Sequence, residues 1–177
     1  QLSDDLIEPL PFWEKPLSNL EMIQVGPRSH FVAAWHAAQL MGPGGKGLIV
    51  AINGFAGGMY TFGVVFGTAK TAVDRMAHDM AIELKPHNIA SISLWQGLTL
   101  TEKAQHNLAI QKEKMTTSIT NMTGSTVEHP GRVIAALASD LEFDVWVVDD
   151  RQEYVSPERF PRAERRLAGT IGQVLPG

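Results

Sequence analysis

Gly44-Gly45-Lys46-Gly47-Leu48-Ile49-Val50-Ala51-Ile52 is the stretch on which the fold turns. A glycine-rich turn releases an unbroken apolar run, and such a run between turn residues predicts a strand covered on both faces, as in a parallel sheet. Residues 53–63 follow with Gly54, Gly57, Gly58 and Gly63, and predict a loop leaving the carboxyl end of that strand. From 64 to 84, Ala69, Val73, Met76, Met80 and Leu84 recur at helical spacing, and Ala72, Ala77 and Ala81 widen a small-residue stripe suited to close helix packing, also across a dimer. Pro86 stops this helix, and Ile89-Ala90-Ser91-Ile92-Ser93-Leu94-Trp95 predicts a second strand from its β-branched, alternating content.

Working outward from this strand–helix–strand unit, Gly26-Pro27 predicts a helix start with proline in the first turn. Phe31, Ala34, Trp35, Ala38 and Met41 would form its buried face, with an end near Gly42-Pro43. Residues 1–16 are acidic and broken by Pro9, Pro11 and Pro16, and predict an arm with Phe12-Trp13 as its apolar anchor. On the other side, residues 102–115 predict a polar helix and 115–124 a mobile Thr/Ser/Asn-rich stretch. Ser125-Thr126-Val127-Glu128 has capping-box spacing, and Val133, Ile134, Leu137 and Ala138 continue a helix to about Ser139. A third strand is expected at 145–148 and a tail over 150–177, where Arg159, Arg162, Arg165 and Arg166 are countered by Glu158 and Glu164. Alternating strands and helices with no repeat or composition break predict one doubly wound α/β domain over the 177 residues.

Composition narrows the function classes. A net charge of −4 and a pI near 5.8 provide no basic face for nucleic acid or anionic lipid, so a small-molecule partner is expected. Without cysteine there is no disulfide framework, thiolate nucleophile or cysteine zinc site, which favours a cytoplasmic setting. No apolar run is long enough for a membrane span. The first residue is Gln1 rather than methionine, from which an upstream segment is expected.

In a sheet of this kind ligands bind at the carboxyl ends of the strands, here the loops 53–63 and 96–101 and the start of the helix at 64. That helix opens with Phe66-Gly67-Thr68-Ala69-Lys70, an aromatic residue and a lysine on one face. With the strand and glycine-rich loop before it and Trp95-Gln96-Gly97-Leu98-Thr99-Leu100-Thr101 after it, the chain resembles the short-chain dehydrogenase/reductase family. That family carries Tyr-x-x-x-Lys on this helix and Pro-Gly-x-x-x-Thr after the next strand. The stretches Phe12-Trp13-Glu14, Val25-Gly26-Pro27-Arg28-Ser29-His30 and Gly47-Leu48-Ile49-Val50 resemble one branch in particular, and the likeness covers most of residues 10–150.

The resemblance implies a three-layer Rossmann-like parallel sheet with helices on both faces, here incomplete because the first strands are absent. It implies NAD(P)-dependent interconversion of an alcohol and a carbonyl, with Lys70, Gly97, Thr99 and Thr101 toward NAD or NADP. Lys70, Asn53 and Phe66 fall at the catalytic positions. Phe66 stands where the family has its tyrosine and has no ionisable hydrogen, so general acid–base catalysis at that position, worth roughly a hundred- to ten-thousandfold, is lost. Asn53 stands about where the polarising serine would be and could donate through its amide. The family's active-site asparagine matches Gly26, and its glycine-rich pyrophosphate loop precedes this region. Gly54, Gly57 and Gly58 do not replace that loop, which must open a helix in its own βαβ unit.

The chain by itself is therefore expected neither to turn over nor to hold NAD or NADP tightly. Tyr60 could supply a replacement hydroxyl, though a packing role is the simpler reading. His30, His36, His78, His87, His106 and His129 lack metal-ligand spacing, and Ser91, Ser93 and His87 form no nucleophile-elbow pattern, so neither a metal site nor a hydrolase triad is expected. From a different class, the alternative is a non-catalytic binding or oligomerisation module: with the first strands absent, the strand at 48–52 would present an unpaired edge, and a homo-oligomer would cover it.

Overall fold

The computed structural model describes residues 10–58, 60–97, 99–102, 105 and 125–139, together with the backbone of 147–149. Strands β1 (Gly47–Asn53), β2 (Ile89–Trp95) and β3 (Val147–Asp149) form a parallel sheet in the order β1-β2-β3. The long helices are α1 (Glu21–Met41) and α2 (Val64–Leu84), followed by α3 (Glu128–Ser139). β1 and β2 run in register from Gly47 opposite Ile89 to Asn53 opposite Trp95, the arrangement a right-handed crossover through α2 produces.

The bounds of α2 and β2 match the sequence reading, and three other expectations need correction. α1 starts at Glu21 with Pro27 inside it, so Gly26-Pro27 is not its start. Phe31 and Trp35 are 50% and 53% exposed and their rings face outward; the covered side of α1 is Ala34, which is buried, with Ala37, Ala38 and Met41 half-buried, so Ala34, Ala38 and Met41 lie where the periodicity puts them. α3 starts at Glu128, so Ser125 is not its N-cap; the Thr126 hydroxyl hydrogen-bonds the Glu128 carboxylate instead and holds it below the usual carboxylate range. The third strand is seen at Val147–Asp149, overlapping the expected 145–148, of which 145 and 146 lie outside the described residues. Residues 106–124 and 150–177, with their expected helix, mobile stretch and tail, lie outside the described residues, as does most of the arm.

Two turns at the amino ends of the strands are joined. Gly45 and Asn88 both take left-handed backbone conformations, which glycine and asparagine accept at least cost, and the Asn88 side-chain amide donates to the Gly45 carbonyl at 2.9 Å. Side chains alternate along β2: Ser91, Ser93 and Trp95 face α2, whereas Ile92 and Leu94 point the opposite way, and all five are buried. Both faces of the sheet are thus covered at β2, with Ile92, Leu94 and the Leu137 side chain of α3 among the most deeply buried groups. Each contributes about 1.5–3 kcal/mol of apolar burial.

β1 is different. It is only half-buried, Ile52 is 36% exposed, and among the described residues no strand pairs with its outer edge. An apolar cavity of about 240 Å³ lies between α1, α2 and β1, lined by small and flexible side chains and by the consecutive β1 residues 48–51. Contact with consecutive strand residues of both facings means that it runs along the edge of the strand rather than over one face.

Candidate active site

α2 is launched by two successive residues with positive φ, Phe62 at 56° and Gly63 at 101°. Glycine takes such a value freely, whereas an aromatic residue in the left-handed region costs about 1–3 kcal/mol and needs compensation. Phe62 receives it on two sides. Its ring meets Phe66 edge-on at 5.2 Å, and its carbonyl accepts a hydrogen bond from Lys15 Nζ at 3.3 Å.

Phe66 is 8% exposed and packs with Ala56, Met22 and Phe62. One turn further along α2, Lys70 Nζ stands 5.6 Å from the centre of the Phe66 ring, at the distance where an ammonium feels the negative ring face. Burial pushes the Lys70 ammonium below its usual pKa, and the Asp74 carboxylate opposes that shift. From α1, His30 is also lowered, by burial first and then by the charge of Lys70. The structure thus brings Phe66, Lys70 and His30 to one region between α1 and α2 at the carboxyl end of the sheet.

Asn53, the last residue of β1, is 3% exposed, and its Nδ2 donates to the Lys70 carbonyl at 2.9 Å and to Asp74 Oδ1 at 2.7 Å. Both amide hydrogens are held by protein acceptors. The amide orientation follows from chemistry, since a carbonyl can only accept and Nδ2 must face the Lys70 carbonyl. Asn53 Oδ1 is buried and has no hydrogen-bond partner. Asp74 Oδ1 also accepts from Ser93 Oγ at 2.6 Å and Trp95 Nε1 at 2.8 Å. Burial raises the Asp74 carboxyl above its ordinary pKa, while the hydrogen bonds from Ser93, Trp95 and Asn53 and the charge of Lys70 pull it back.

The glycine loop closes over this cluster. A side chain at Gly57 would overlap Asp74 Oδ2, and the Thr71 hydroxyl lies 3.1 Å from the Gly57 carbonyl and 2.9 Å from that of Gly67. Beyond β2, Thr99 pairs as a parallel bridge with Ser125, the Leu100 amide donates to the Ser125 carbonyl at 2.9 Å, and the Thr101 amide donates to the Thr99 carbonyl. The segment holding Gly97, Thr99 and Thr101 is thereby pinned to the residues that lead into α3. Tyr60 stands 82% exposed.

Sequence reasoning missed Asp74 and treated His30 as an ordinary helix histidine. A signal for Asp74 was present in its spacing, four residues after Lys70 and so one turn along the same helix, and in the alternation that puts Ser93 and Trp95 on one face of β2.

For a nicotinamide cofactor the fit is partial. Lys70 is partly withdrawn from water at the carboxyl end of the sheet, and Thr99 to Thr101 are held against Ser125 nearby, a donor set of the kind that can meet a polar ligand. No described loop follows a first strand into a helix in the way that holds a pyrophosphate.

A sequence model of the family described as short chain dehydrogenase matches residues 16–112. The protein called dehydrogenase/reductase SDR family member 1 is 38% identical in Mus musculus and 35% in Homo sapiens, each over 135 residues that make up 73% of this chain and 43% of the relative. The chain thus spans less than half the length of the curated relatives it matches. Sorbitol-6-phosphate 2-dehydrogenase SrlD from Erwinia amylovora superposes with a TM-score of 0.69 at 20% identity, over 81% of this chain and 62% of that one. ElxO, as a tyrosine-to-phenylalanine variant with NADPH bound, superposes with a TM-score of 0.70 at 21% identity, over 79% of this chain and 59% of that one. With the family model matching residues 16–112 and relatives 38% and 35% identical over 73% of its length, the chain is a member of the short-chain dehydrogenase/reductase family.

Proposed function

We propose that this chain is a region of an NAD(P)-linked alcohol/carbonyl oxidoreductase fold that keeps the cofactor lysine and has lost the proton donor, so that on its own it does not turn over. Phe66 carries this reading: its ring fills the position next to Lys70, is 8% exposed, and ends in carbon. Hydride transfer to a carbonyl leaves an alkoxide that must be protonated, and a phenyl group cannot do it. Asn53 offers no substitute, because both of its amide hydrogens are already held by Lys70 and Asp74. When bound, NAD or NADP would supply the hydride chemistry; Lys70 would hold the ribose, with Gly97, Thr99 and Thr101 beside the nicotinamide. The ElxO variant with NADPH bound supports separating the two functions, since in that protein losing one tyrosine hydroxyl is compatible with holding the cofactor.

The test is calorimetric and kinetic. A longer protein that includes upstream residues is expected to bind NAD(H) or NADP(H) and to show no nicotinamide-dependent turnover with small carbonyls or alcohols. Turnover by the present chain would overturn the reading.

A second reading, an association module derived from the same fold, rests on separate observations. Val25, Phe31, Val32 and Trp35 are exposed along α1, and among the described residues no strand pairs with the outer edge of β1, which lies beside an apolar trough. Self-association is expected, and a monomer at high concentration in light scattering would count against it.

A further inference from the structure

We propose that Asp74 is the positioning residue of this site: one carboxyl group joins the carboxyl ends of β1 and β2 to α2 and sets the charge balance at Lys70. The proposal deepens the cofactor-site reading and rests on its assignment of Lys70.

Geometry carries it. A single oxygen, Asp74 Oδ1, collects hydrogen bonds from Asn53 at the end of β1 and from Ser93 and Trp95 at the end of β2, all at 2.6–2.8 Å. Those three donors are 3%, 0% and 6% exposed, so no water stands ready to replace the acceptor. The other oxygen presses on Gly57, which fixes how closely the glycine loop can approach. Three segments are therefore registered against the same group: the end of β1, the loop after it, and the last residues of β2 before Gln96 and Gly97.

The energetic logic explains why an acid is there. A buried carboxylate held by three neutral donors is costly to bury, and an uncharged core would be the simpler way to stabilise the same packing. What a neutral side chain could not provide is a negative charge one helical turn from Lys70, whose ammonium burial tends to discharge. The charged or titratable groups bearing on the pair are Lys70 and Asp74 on α2 and His30 from α1; β1 and β2 contribute the neutral Asn53, Ser93 and Trp95. Burial and the charge of Lys70 both lower His30, whereas Asp74 opposes the discharge of Lys70.

The experiment is NMR on the full chain without cofactor, so it reads Asp74 whether or not the protein proves to bind NAD(P). Lys70 side-chain carbons are titrated in the parent and in Asp74→Asn, which keeps the shape and an acceptor oxygen. The Lys70 midpoint is expected at lower pH in the variant. Reciprocally, the Asp74 carboxyl carbon is titrated in the parent and in Lys70→Met, where its midpoint is expected at higher pH. The Trp95 indole N–H, assigned through Trp95→Phe, should exchange slowly with solvent in the parent and in Asp74→Asn, and roughly tenfold or more faster in Asp74→Ala. Unchanged midpoints in both titrations, or an indole that stays protected in Asp74→Ala, would overturn the proposal. Should Asp74→Asn fail to fold, the Lys70→Met titration decides alone.

Discussion

Replacing Gly57 with alanine is expected to destabilise the chain far more than one added methyl group would on an ordinary loop. The backbone there lies outside the left-handed region, so alanine can adopt it, and the penalty is purely one of space. The new Cβ would overlap Asp74 Oδ2 and stand 3.3 Å from Trp95 Cζ2. Asp74 cannot simply swing aside, because its other oxygen holds Asn53, Ser93 and Trp95. Losing two of those bonds at about 1.5 kcal/mol each would cost roughly 3 kcal/mol, and displacing the loop instead is an overpacking cost of about 1–3 kcal/mol. The chain should take the cheaper mixture, giving a loss of about 2–4 kcal/mol in urea unfolding and a fall in Tm of about 4–16 °C. The decisive comparison is a double-mutant cycle: in an Asp74→Ala background the overlapping carboxylate is gone and only the close approach to Trp95 Cζ2 remains, so Gly57→Ala should cost at least about 1 kcal/mol less than in the parent. A loss below about 1 kcal/mol in the parent, or equal losses in both backgrounds, would refute the packing argument.

Phe66→Tyr, in a longer protein shown to bind NAD(P)H, should raise carbonyl reduction by roughly a hundred- to ten-thousandfold if the proton donor is all that is missing; stopped-flow NADPH oxidation reads this, and no gain means that Asn53 or Gly26 limits as well. His30 has a lowered pKa in the folded chain, so its contribution to stability should be present above its unfolded value of about 6.5 and lost as pH falls through the folded one. Urea midpoints from pH 8 to pH 5 should therefore fall less steeply in His30→Gln than in the parent. Trp35→Glu, on the outward side of α1, should leave the urea midpoint within about 0.5 kcal/mol and abolish any self-association seen by light scattering.

Much of the fold was legible because its signals are local. The run at 48–52 and the alternating stretch at 89–95 bound their strands by apolar content and flanking turns, and the stripe of 69, 73, 76, 77 and 80 is a periodicity contained in one helix. α1 was harder. Gly26-Pro27 has the chemistry of a helix start, yet residues before it are helical, and bulky Phe31 and Trp35 mark the wrong face because alanines allow the closer approach to α2 and β1. The candidate site was legible as positions and not as contacts. Lys70 and Phe66 stand out by spacing, whereas the cluster around Asp74 depends on β1 and β2 meeting α2, a relation between segments about twenty residues apart that no local pattern expresses. Asn53 shows the same limit: its amide reads as an available donor until the acceptors on α2 are seen to occupy it.

Pro27 gives the molecule one more property. Having no N–H, it cannot bond the Ile23 carbonyl, so the first turns of α1 are tied to the rest of the helix by one link fewer than a continuous ladder would supply. Met22, which rests on Phe66, lies in those first turns. The cover of the Phe66 ring therefore rests on the part of α1 whose backbone ladder lacks one rung.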